Sequence, residues 1–190
     1  MKTKKRTDPG FTLIELLVAM AISGLVMTAI YTTFSFQQKS YSLQRQMVAM
    51  EQNLRASMFM LEREIRMAGC DPYGTAGAGI VTANANTIRF TMDLNYDADI
   101  VDSNEDITYY LYTADGIQKL GRKSTPGTTS PVAEHINALT FEYLDEDGAV
   151  TANLSNIRSV RITLEAKTAN IKPVRYEELE TVIKCRNLGL

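Results

Sequence analysis

Histidine is nearly missing from this chain. His135 is the only one in 190 residues, so a Ser/His/Asp or Cys/His catalytic arrangement would have to use it. It precedes a strand-like stretch and has no recognisable nucleophile motif beside it, so no catalytic residue is expected. Cysteine is sparse as well: Cys70 and Cys185 cannot build a four-ligand Cys/His zinc site. No phosphate-cradling glycine pattern occurs. Proline is absent from Phe11 to Cys70, which leaves a long helix free to run without a break. Basic side chains are few in the C-terminal part. Residues 71–190 carry 11 basic and 17 acidic groups, which disfavours a nucleic-acid partner because affinity for phosphates rests on Lys and Arg.

The most telling absence is charge near the start. Leu16 to Gln38 holds no charged residue, and Phe11 to Ile30 has only Glu15. Twenty helical residues rise ~30 Å, the thickness of a bilayer's hydrocarbon core. A carboxylate in such a segment costs roughly 2.5–3.5 kcal/mol on insertion scales, which makes Glu15 a candidate functional residue. Lys2, Lys4, Lys5 and Arg6 flank the run on one side, so that side is expected to stay cytoplasmic and the C-terminal body to be exported. A secretory signal peptide would share the basic start, with Ala19-Met20-Ala21 as its cleavage site. The apolar run, however, continues to Ile30, and an ordinary signal anchor would leave Glu15 unexplained.

Gly10-Phe11-Thr12-Leu13-Ile14-Glu15, behind a short basic leader, resembles the N-terminus of type IV prepilins. The resemblance implies cleavage after Gly10 by prepilin peptidase, N-methylation of the new Phe11 amine and an assembly role for Glu15. It implies a leader over 1–10, a transmembrane half of the helix over 11–33, and partners that include prepilin peptidase, other minor and major pilins, an inner-membrane assembly platform and the lipid bilayer. The location would be the inner membrane, single-pass with the head outside the cytoplasm, and then a pilus or pseudopilus. Type IV pilins often place a proline some eight residues after a helix glycine such as Gly24; Thr32 stands there instead.

Helical periodicity continues beyond the apolar run. Leu43, Met47, Met50, Leu54, Met58, Leu61, Ile65 and Ala68 recur at spacings of three and four, one apolar stripe on an amphipathic half spanning 34–70. Gly69 and Asp71-Pro72 read as its stop. Strand candidates follow at Thr87–Met92, Ile107–Thr113, Gln118–Arg122, Ala138–Leu144, Ser159–Ala166 and Glu180–Arg186. Asp115-Gly116 and Asp147-Gly148 are turn signals, and Ser124–Pro131 reads as a polar loop. The expected fold is α+β: a long N-terminal helix packed on an antiparallel β-rich head over 71–190. Within it, Glu64–Gly69, Asp106–Leu111, His135–Tyr143 and Arg186-Asn187-Leu188 resemble PilW-type minor pilins and the J-type pseudopilins of type II secretion. That implies a structural subunit that primes or joins filament assembly. Subunits of type II secretion and DNA-uptake systems share the same N-terminus, and a filament-borne adhesin is a further class.

Two more features carry expectations. Asp93, Asn95, Asp97 and Asp99 place oxygens on alternate residues, as a calcium loop does, with Glu105 one residue beyond the usual bidentate position. Ala98 stands where such a loop needs its glycine. The alternative is a solvated acidic loop. Cys70 and Cys185 would both lie in an oxidising compartment, which permits a disulfide; the alternative is two free, buried thiols.

Overall fold

A computed structural model describes residues 10–169 and 172–189. The expected leader, 1–10, therefore lies outside the described residues except for Gly10. The α+β architecture is the one expected. Among the described residues a 53-residue helix, α1 (Leu13–Ile65), precedes eight antiparallel strands. The helix runs unbroken through Gly24 and Thr32, where Thr28, Thr32 and Thr33 return their hydroxyls to carbonyls one turn back. The chain divides into two compact units between Arg45 and Gln46.

Within the N-terminal unit, Gly10 to Phe34 carry no charge but Glu15, and every one of these residues is exposed. The second unit begins with the last five turns of α1. Its stripe buries Met50, Leu54, Met58, Leu61, Ile65 and Ala68 in the core, together with Ser57, whose hydroxyl bonds the Asn53 carbonyl at 2.6 Å. Met47 was expected on that stripe but is exposed. The helix also ends at Ile65, short of Cys70. There the last amides shift to carbonyls three residues back, and Gly69 takes φ +77, which a Cβ would resist.

β1 (Ile80–Asn84), β2 (Thr87–Thr91), β3 (Asp106–Ala114), β4 (Ile117–Thr125) and β5 (Thr129–Glu134) form one sheet in chain order. β6 (Ile136–Leu144), β7 (Ser159–Lys167) and β8 (Tyr176–Lys184) form a second. Asp115 and Gly116, both at positive φ, close the β3–β4 hairpin as their sequence predicts. One residue, His135 at φ +59, separates β5 from β6 and turns the chain from the first sheet into the second. Tyr143 of β6 donates its hydroxyl to the carbonyls of Asn84 and Thr87, and Phe141 gives its N–H to the Ala85 carbonyl, so β6 is fastened across the β1–β2 hairpin. β1 and β5 were not expected, and part of the Ser124–Pro131 loop is strand. β8 starts four residues earlier than its pattern suggested, because Glu177 and Glu178 hide the alternation.

Candidate functional site

The residues singled out at the N-terminus meet in one local structure. Thr12 and Glu15 form a reciprocal cap. The Glu15 Oε2 accepts from the Thr12 N–H and from the Thr12 hydroxyl, both at 2.8 Å, while Thr12 Oγ1 accepts from the Glu15 N–H at 3.3 Å. This capping box satisfies N–H groups that an α-helix start otherwise leaves bare. Its signature, Thr-x-x-Glu, is legible in Thr12-Leu13-Ile14-Glu15 and explains in part why a carboxylate stands at the head of an apolar run. Both cap bonds use Oε2; Oε1 has no hydrogen-bond partner among the described residues. Phe11 is 95 % exposed beside it. The carboxylate thus holds the helix start with one oxygen.

A second cluster, in the head, was not foreseen. Glu64, near the end of α1, accepts from Arg122 Nε at 2.9 Å and from the Tyr109 hydroxyl at 2.7 Å. Arg122 also gives an N–H to Asn104 Oδ1 at 3.0 Å. The Glu64 and Arg122 side chains are 17 % and 15 % exposed. Burial, then the adjacent Glu64 charge, pushes the Tyr109 hydroxyl far above its ordinary value, so it stays a donor. The signal was present: Glu64 sits on the helix stripe between Leu61 and Ala68, where a charge needs a partner.

Residues 5–31 match the prokaryotic N-terminal methylation motif. Residues 43–185 match the family model of prepilin peptidase-dependent protein B, which covers most of the chain. The chain belongs to the prepilin peptidase-dependent protein B family. It is a type IV pilin-like protein. It is also similar in structure to the type IV-like pilin TTHA1219 from Thermus thermophilus, at 12 % identity and a TM-score of 0.49, over 73 % of this chain and 97 % of that one. No curated protein matches it. In this prepilin peptidase-dependent protein, α1 is long and apolar enough to cross a bilayer, which is consistent with membrane anchoring.

The calcium loop is not assembled as expected. Among the described residues no three His, Cys, Asp or Glu side chains gather as a metal site. Asp93 is fully buried and its oxygens accept from the N–H groups of Tyr96 and Ala98, at 2.7 and 3.2 Å. Glu105, also buried, accepts from the N–H groups of Leu94 and Asp102. Asn95, Asp97 and Asp99 each accept from the N–H two residues on. The alternation that suggested ligands is thus a run of side-chain turns that closes the loop on itself.

The disulfide is also not formed. Cys70 and Cys185 are both free. Their backbones are held in separate hydrogen-bond systems: the Cys70 carbonyl accepts from Asp93 N–H, and the Cys185 N–H donates to the Arg158 carbonyl. Cys185 packs in the core as a small apolar group, and burial pushes its thiol up to about 12. His135 serves the backbone, its carbonyl accepting from the Lys167 N–H at the junction of the two sheets.

Proposed function

We propose that this prepilin peptidase-dependent protein is a minor pilin, a structural subunit without a reaction of its own that primes or joins assembly of a type IV pilus-like filament. Cleavage between Gly10 and Phe11 exposes an amine, which prepilin peptidase methylates. The ammonium of an incoming subunit then pairs with Glu15 of a neighbour inside the membrane, and the head stays outside the cytoplasm. The observation that carries this reading is the Glu15 carboxylate, which caps its own helix with Oε2 and, among the described residues, has no partner at Oε1, at the start of an exposed apolar segment without another charge. A charge pair there is screened far less than in water, although desolvation offsets much of the gain.

The test compares Glu15→Gln with Thr12→Ala. Gln keeps an oxygen that can cap the helix but carries no charge. Thr12→Ala weakens the cap by about 0.5–2 kcal/mol, equally in free and assembled subunits, so it leaves assembly nearly unchanged. Mass spectrometry of the membrane form is expected to find a methylated Phe11 terminus in both variants. Only Glu15→Gln should fail to enter filaments. Normal incorporation of Glu15→Gln ends the pairing mechanism, and a mature chain that begins elsewhere than Phe11 ends the whole reading.

A further inference from the structure

The two sheets have four edges, and three are blunted. β1 is five residues long with a bulge after Ile80, β5 contains Pro131, and the outer edge of β6 is crossed by the Ala85 turn and bridged at Leu144 by Val150. β8 is different. It runs nine residues without proline, its register with β7 has no bulge, and among the described residues it pairs with no strand on its other side. The register also says which backbone groups are spare. Arg158 O accepts from Cys185 N–H and Arg175 O from Thr168 N–H, so the odd-numbered residues of β8 turn their backbone groups toward β7. Those of Glu178, Glu180 and Val182 point away from it.

The side chains along this edge are acidic and short of partners. Glu177, Glu178 and Glu180 are exposed. Glu178 lies directly opposite Glu165 of β7, and a like-charge pair in that position weakens a sheet. Among the described residues neither Glu177 nor Glu178 has a basic group within ion-pair distance, and Glu180 shares Arg161, 3.5 Å away, with Glu142. Val182, two residues further on the same face, is 52 % exposed. A strand added here would receive main-chain hydrogen bonds from Glu178, Glu180 and Val182. Lys or Arg placed beside Glu178 and Glu180 would offset the Glu165–Glu178 repulsion, while an apolar side chain would cover Val182.

We propose that β8 is a docking edge that takes up an extended strand of a partner protein carrying Lys or Arg on alternate residues. The acidic row repels other acidic edges and admits a basic one, so the same side chains guard the edge and select its occupant. The property belongs to the head and holds whether or not the chain enters a filament.

The test uses the full chain in detergent and two synthetic peptides as long as β8, built of Thr and Val with either Lys or Glu at alternate positions. Amide hydrogen exchange is read residue by residue. At about 90 % occupancy the amides of Glu178, Glu180 and Val182 should exchange roughly tenfold more slowly with the Lys peptide, by mass action. Those of Leu179, Thr181 and Ile183, already in the β7–β8 ladder, should not change. The double variant Glu178→Lys/Glu180→Lys, altered only at exposed positions, should exchange the preference for the Glu peptide. The proposal is overturned by no slowing at millimolar Lys peptide, by equal slowing with both peptides, or by an unchanged preference in the double variant.

Discussion

Replacing Glu64 by Ala should cost the head a large share of its stability. The change leaves Arg122, 15 % exposed, without its carboxylate, and the Tyr109 hydroxyl without the acceptor it reaches at 2.7 Å. Breaking a buried ion pair from one side costs about 3–5 kcal/mol, because the surviving charge stays desolvated. The remaining Arg122–Asn104 bond at 3.0 Å places the lower end of that range as the expectation. Domains of this size are stable by about 5–15 kcal/mol, so ~3 kcal/mol is a substantial fraction. The assay is urea unfolding of the full chain in detergent, followed by the near-ultraviolet signal of its nine tyrosines, since it has no tryptophan. The midpoint should fall with little change in slope. Tyr109→Phe, which removes only the hydroxyl, should cost about 1.5–3 kcal/mol. The double variant should cost less than the two singles together, because both changes act on one cluster. A Glu64→Ala midpoint that corresponds to under about 1 kcal/mol of loss would refute the claim that this pair is buried and binding the helix end to the sheet.

Other expectations follow from single sites. A Cβ on Gly121 would lie 2.8 Å from the Tyr112 ring and 3.0 Å from a Thr129 methyl, so Gly121→Ala should cost about 1–3 kcal/mol in the same unfolding assay. Asp93→Ala removes the acceptor of two N–H groups within a buried position; a loss of about 1–3 kcal/mol is expected, and faster exchange of the Tyr96 and Ala98 amides should accompany it. Cys185 is a thiol at neutral pH and is held out of water. Iodoacetamide at pH 8 should therefore leave it unlabelled until urea unfolds the head, and native labelling at the rate of an open thiol would contradict the packing.

What could be read from the chain was whatever depends on near neighbours. The membrane-length apolar run, the Gly10–Phe11 junction and Glu15 lie within one short stretch. The Thr12–Glu15 cap, not anticipated above, also joins residues only three apart. Strands β2, β6 and β7 were legible because buried side chains alternate along much of each; β3 was marked by its run of β-branched and aromatic residues and β4 by following the Asp115-Gly116 turn. β1 and β5 lie at an edge, where little burial is required and alternation fades. The beginning of β8 was hidden for the same reason. Long-range pairing had no such local trace. Glu64 and Arg122 are 58 residues apart, and only the packing of α1 against the first sheet makes partners of them. The acidic loop shows the reverse case: oxygens spaced for a cation were claimed by backbone amides once the loop closed. Pattern shows which groups can bond, but the folded path of the chain decides which of them meet, because a hydrogen bond forms only over about 3 Å.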